Sequence, residues 1–142
     1  MYVKALLNYE RLMVDGAVVV LRSKELAPLD RIDAFLSSPI VAVRDNKDRR
    51  GCFLCNAAAD RASLDEETGT LVRRGYDKMR AAIAHSLGEA FPNLPQQTIS
   101  TRAEVVLTIY SGLRVMSRTG IGAEMLVATK DDVMRTLSFP QD

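Results

Sequence analysis

Val72, Tyr76, Met79, Ile83 and Leu87 recur at spacings of three or four residues, the interval that returns a side chain to the same face of an α-helix. A stripe of this length commits the segment to a long amphipathic helix. Ser63-Leu64-Asp65-Glu66 fits a capping box at its start, and the FPNLPQQ stretch with Pro92 and Pro95 breaks it beyond Ala90. The same periodicity recurs along the chain without a convincing pair of strands. The reading is all-α: an antiparallel bundle of five to six helices in one domain spanning residues 1–142.

The first helix is expected over about Tyr2–Arg22. On a wheel of about 100° per residue, Lys4, Asn8, Arg11, Asp15 and Arg22 fall in one narrow arc and nearly all else is apolar. So narrow a polar face predicts burial on most sides. A second helix begins near Pro28, which suits a first turn, and Pro39 is expected to end or kink it. Arg44–Arg50 reads as a charged loop, and Gly51–Ala62 as a short buried helix. A further helix is expected to start at Ser100 or Thr101, with Thr101 and Glu104 as a capping box, and to run to about Thr119. Gly120 and Gly122 close it, and a last helix covers about Ala123–Leu137.

These two terminal helices carry apolar faces wider than one core needs. A homodimer is therefore expected, with two helices from each chain forming a four-helix bundle. The interface candidates are Val106, Ile109, Ser111, Gly112, Leu113, Met116, Leu126, Lys130, Val133 and Leu137. Completion of a monomeric core is the other use for the same faces. Lys130 falls inside an apolar arc and either reaches the rim or pairs across the dimer.

The chain nets +1 with 26 % charged residues, so nothing global marks a nucleic-acid-binding surface. No apolar run approaches the roughly 20 residues of a membrane span, and the start does not resemble a secretory signal. A cytoplasmic protein with no membrane association is expected.

Cys52-x-x-Cys55 is the one pattern that could carry covalent chemistry. A small all-helical thiol redox enzyme is the alternative function. Core packing is the other reading, since buried free cysteine behaves as a small apolar residue. In an all-helical peroxidase family with Cys-x-x-Cys, a histidine follows the second cysteine by four residues; that position is Ala59 here. No metal site is expected, because zinc needs about four ligands and no second pair exists. His85, the single histidine, lies off the apolar stripe toward Lys78 and Glu89, and no catalytic triad can be assembled around it. No catalytic residue and no cofactor is expected.

Glu10 falls inside an apolar arc, so it is either a polar anchor in a ligand cavity or half of an ion pair between helices. Asn56 sits in a helix apolar nearly all round, and its amide needs a partner from backbone, water or ligand. With Met13, Gly16, Phe53, Tyr76, Met79 and Tyr110 they make a candidate pocket of mostly apolar walls with a few polar groups. Each of those apolar residues has core packing as its other reading. Gly16 in mid-helix costs about 1 kcal/mol against Ala, which a packing or cavity role would explain.

The order of RRGCFLCNAAADRA (Arg49–Ala62), DEETGTLVRRGYDKMRAAIAHSL (Asp65–Leu87) and VVLTIYSGLRVMSRTG (Val105–Gly120) resembles the C-terminal domain of TetR-type transcriptional repressors. The opening YVKALLNYER is similar to the start of the long helix that follows their DNA-binding head. The resemblance implies a domain that binds a small apolar or aromatic effector and dimerises through its last two helices. It implies no enzymatic activity. The helix-turn-helix head of about 45–50 residues that would contact operator DNA has no counterpart in these 142 residues. Contact with operator DNA is expected only where such a head is present.

Overall fold

The computed structural model describes residues 2–45, 53–60 and 65–138. These residues form α1 (Tyr2–Tyr9), α2 (Asp15–Leu21), α3 (Pro28–Arg44), α4 (Phe53–Asp60), α5 (Glu66–Ala90), α6 (Gln96–Met116) and α7 (Ala123–Ser138). A π turn at Glu10–Val14 joins α1 to α2, so Tyr2 to Leu21 is one helix with a wide turn in its middle. No strand occurs among the described residues, and the architecture is an all-α helical bundle.

α5 lies at the centre. Leu71, Val72, Met79, Ala82, Ile83 and Leu87 bury one side of it, against α6, α3 and α2. α3 adds Ile32, Phe35, Leu36 and Ile40 to the same core, and α7 packs chiefly on α3. No helix among the described residues is long and apolar enough to cross a membrane.

The π turn decides which residues of the first helix reach this core. Leu6, Val14 and Leu21 are buried at 1 %, 2 % and 0 % exposure. In an unbroken α-helix Leu6 would align with Met13, seven residues on, and Val14 would stand about 80° away. The wider turn absorbs one extra residue, so Val14 takes the inward position. Met13 and Leu12 are turned out, at 47 % and 61 % exposure, and Val19 is exposed at 70 %. The first helix therefore keeps an open apolar side, where the wheel of a regular helix would enclose it.

Pro39 neither ends nor divides α3. It cannot donate to the carbonyl of Phe35 four residues back. The hydroxyl of Ser38 donates to that carbonyl instead, at 3.1 Å, and the helix continues to Arg44. α5 begins at Glu66 with Asp65 in the capping position, where its Oδ2 accepts from Thr68 Oγ1 at 2.5 Å. Ser63 of the expected capping box lies outside the described residues. α6 starts at Gln96, a turn earlier than expected, because Pro95 has an extended backbone that leads into a first turn. Thr101 Oγ1 donates back to the Gln97 carbonyl at 3.0 Å, and Glu104 accepts a forked pair of bonds from Arg80 on α5. Neither is left for a capping box. Beyond α6, Gly120 takes a positive φ of 80°, a conformation that suits glycine and turns the chain toward α7.

Two polar contacts fix helix ends within the bundle. Buried Ser86 on α5 donates to the carbonyl of Leu21, one of the acceptors left free at the end of α2. Arg31, 5 % exposed, donates to the Leu26 carbonyl at 3.1 Å and to Glu89 Oε2 at 2.6 Å. That hydrogen bond holds the Glu89 carboxyl below its ordinary value of 4.5. Glu104 is held low in the same way by Arg80.

Two outcomes follow for unfolding experiments. Leu6→Ala should cost about 2–5 kcal/mol in denaturant titrations, and Met13→Ala less than about 0.5 kcal/mol; a regular first helix would reverse the order. Because the Glu89 carboxyl is depressed on folding, its contribution is complete above pH 4.5 and is lost as pH falls through the lower folded value. Glu89→Gln should lower Tm at pH 7 and flatten the acid limb of the stability profile, read by thermal melts from pH 7 to 3.

Candidate functional site

The expected pocket residues separate into a cluster and several isolated positions. α4 presents Cys55 toward α5 and Asn56 toward the end of α6. Tyr76 Oη donates to Cys55 Sγ at 3.3 Å, and Arg118 Nη1 donates to Asn56 Oδ1 at 2.7 Å. The amide is half-buried rather than buried, and its partner is an exposed arginine, which was not among the backbone, water or ligand partners expected. About two turns back, on α6, Tyr110 stacks on Phe35 with ring centroids 4.1 Å apart. Arg114 lies over the Tyr110 ring at 5.3 Å, donates to its hydroxyl at 3.2 Å, and reaches Ser38 Oγ on α3 at 3.2 Å. Met79, one turn beyond Tyr76, is 2 % exposed in the core.

This forms a polar seam where α4 meets α5 and α6. Asn56–Arg118 and Cys55–Tyr76 tie α4 to its neighbours, while Tyr110 and Arg114 face α3 through Phe35 and Ser38. Arg114 and Arg118 were not among the expected site residues. Their spacing of four residues on the same side as Tyr110 is the signal that could have found them.

Met13 and Gly16 lie outside the cluster. Met13 is turned out by the π turn, and no atom lies within 4 Å of where a Cβ on Gly16 would sit. Open space at Gly16 gives it neither a packing role nor a cavity wall within the chain. The side chains of Glu10 and Phe53 lie outside the described residues, as does Cys52.

Cys55 is 8 % exposed and bonded to Tyr76, so its thiol lacks the access that redox exchange needs. His85 faces Glu89, with Nε2 3.1 Å from Oε1, on the outer side of α5. No group of three His, Cys, Asp or Glu suited to a metal ion occurs among the described residues.

The expected interface residues divide by burial. Val106, Leu113, Leu126 and Leu137 are 0–4 % exposed within the chain itself, because α6 and α7 spend those positions against α5 and α3. They are not available to a partner. Ile109, Ser111 and Val133 are half-buried, and Gly112 and Met116 are exposed. Lys130 bonds Asp33 on α3 at 2.7 Å and Asp131 at 3.1 Å, which ties α7 to α3 within the chain. Burial works to lower the Lys130 pKa, but these two carboxylates outweigh it and raise it. Val105, Val115 and Met125, at 49 %, 50 % and 58 % exposure, extend the outer apolar surface and were not among the expected interface residues.

No family model, no curated protein and no solved structure matches this chain.

The thiol environment is checked by labelling. In a Cys52→Ser chain, Cys55 should react with a thiol reagent at least about a hundredfold more slowly in buffer than in urea, since reaction needs an opening of the core. Equal rates would place Cys55 at the surface.

Proposed function

We propose that the chain is an effector-binding and homodimerisation domain of the kind found in TetR-type transcriptional regulators. The observation that carries the reading is the outer row of α6. Val105, Ile109, Gly112 and Met116 fall within about 60° of one another on that helix, and all four are exposed or half-buried. Such a row follows the spacing of a helix–helix seam. Gly112 supports close approach, since no atom lies within 4 Å of where its Cβ would be. Symmetric pairing through this row, with Met125 of α7 at its margin, covers apolar surface that water would otherwise meet.

The ligand half of the proposal rests on the contacts of α4, Asn56 with Arg118 and Cys55 with Tyr76. A small apolar or aromatic effector with one polar group would take the Arg118 or Tyr76 donor in exchange for Asn56 or Cys55. It would thereby shift α4 relative to α5 and α6. A ligand of that kind acts by favouring one of two arrangements. Operator DNA enters only through a helix-turn-helix head, in a protein that carries one. The order of the segments in sequence supports the same reading.

Light scattering at micromolar concentration should give twice the 15.7 kDa chain mass. The double variant Val105→Glu/Met116→Glu, altered only at exposed positions, should give a monomer with unchanged helical circular dichroism. A wild-type monomer would count against pairing. For the ligand half, a thermal-shift panel of aromatic and apolar compounds should contain one that raises Tm in the wild type and not in Asn56→Ala.

A further inference from the structure

Arg102 stands one step before the outer row of α6. Arg102, Val105, Ile109, Gly112 and Met116 follow one another at alternating steps of three and four residues, the spacing of a helix seam. From Val105 to Leu113 the helix carries no charged side chain. The orientation of a second copy on this row is therefore set by shape and by the charges at its two ends. At the near end, the half-buried Arg102 lies over the Phe91 ring, 5.6 Å from its centroid. Its Nη1 is buried without a hydrogen-bond partner, and no carboxylate among the described residues pairs with it. At the far end the chain turns at Gly120, and Glu124 lies in the first turn of α7. Glu124 is exposed, and no cation among the described residues pairs with it. Arg114 and Arg118, also near that end, are turned away from the row onto Tyr110 and Asn56. One cation and one carboxylate, each without an ion-pair partner in the chain, thus flank a neutral row.

Shape and charge favour the same orientation. A two-fold axis crossing α6 between Tyr110 and Ser111 runs the two helices antiparallel. Val105 then meets the partner's Met116, and Ile109 meets the partner's Gly112. No atom lies within 4 Å of where a Cβ on Gly112 would sit, so the branched Ile109 has room there. A parallel pair would instead set Ile109 against Ile109 and leave a gap where glycine faces glycine. The antiparallel axis also brings Arg102 opposite the partner's Thr119, beside the turn that leads to the partner's Glu124. In the parallel arrangement Arg102 would face Arg102 and Glu124 would face Glu124, and like charges set against each other are costly.

We propose that two copies of the chain pair antiparallel along α6, with Arg102 of each bonded to the partner's Glu124. This rests on the pairing through the outer row, and it adds the orientation and the residue that each copy supplies to the other. The two-fold repeats the ion pair at both ends of the seam. Ion pairs at a rim contribute little affinity each, so the apolar row holds the copies together while the end charges select their direction. The guanidinium is already oriented on the Phe91 ring, so an arriving carboxylate meets a fork that is held in place.

Charge reversal in the full chain tests it, with self-association read by sedimentation. Arg102→Glu and Glu124→Arg should each weaken pairing by about tenfold or more, because each sets like charges together at both ends. An equimolar mixture of the two single variants should pair as tightly as the wild type, since every facing pair is then of opposite sign. Arg135→Glu, which reverses a cation of α7 bonded to Asp132, should leave pairing unchanged. Circular dichroism checks that each variant keeps its helices. Should Arg102→Glu not fold, Glu124→Arg and a label distance decide. With Cys52 and Cys55 replaced by serine and a spin label at Thr101→Cys, an exposed position of α6, antiparallel copies should hold the labels about 30 Å apart. Parallel copies would hold them under about 20 Å apart, which would overturn the proposal. A wild-type dimer whose two single variants pair as tightly would overturn this orientation alone, whereas a monomeric wild type would overturn the pairing with it.

Discussion

The buried side of α5 sets the positions of the helices around it. Leu71, Met79, Ile83 and Leu87 give it one apolar line long enough to touch α6, α3 and α2 at once, and burial of that line is the main gain available to a chain of this size. Ser86 fixes the depth of α2 against it through the Leu21 carbonyl, and Glu89 anchors Arg31 of α3 at its far end. α7 joins last in this order, held to α3 by packing and by Lys130 on Asp33. A loss along the α5 line would therefore loosen both the seam with α4 and the outer row on α6, since each depends on where α5 holds its neighbours.

The helices themselves were legible because periodicity is a local property. The stripe from Val72 to Leu87 marks α5 without ambiguity, and Gly120 marks the stop before α7 as glycine at positive φ should. What was not legible depended on exceptions to regular geometry. A wheel assumes about 100° for every residue, so one π turn at Glu10–Val14 is enough to exchange Met13 for Val14 at the core. Pro39 inside α3 was unreadable as a continuing residue because its rescue comes from a neighbouring hydroxyl, Ser38. At α6 the capping signal of Thr101 and Glu104 was real as a pattern, but Pro95 starts the helix earlier and Arg80 takes the glutamate.

The candidate site was half legible for a related reason. Asn56, Tyr76 and Tyr110 were recognisable as polar groups set among apolar ones; the fold gives Asn56 and Tyr76 partners at α4, whereas Tyr110 stacks on Phe35 of α3. Their partners Arg114 and Arg118 look like solvent-facing charges on a wheel, and only the tertiary arrangement turns them back onto Tyr110 and Asn56. The interface residues show the opposite error. Wide apolar faces on α6 and α7 exceed what one core needs on the wheel, yet Val106, Leu113, Leu126 and Leu137 are consumed inside the chain. What remains outside is a narrower row, and the proposed pairing rests on that row alone.

The measurement that tests the proposed pairing most directly is a distance between two copies. With Cys52 and Cys55 replaced by serine and a spin label placed at Thr108→Cys, an exposed position of α6 beside the row, pulsed electron resonance reads the separation of the labels in solution. Helices paired along this row, with axes about 8–10 Å apart, should place the labels on the order of 20 Å apart and within a narrow distribution. No dipolar coupling between copies, at a concentration where the unlabelled chain has been weighed, would contradict pairing through α6.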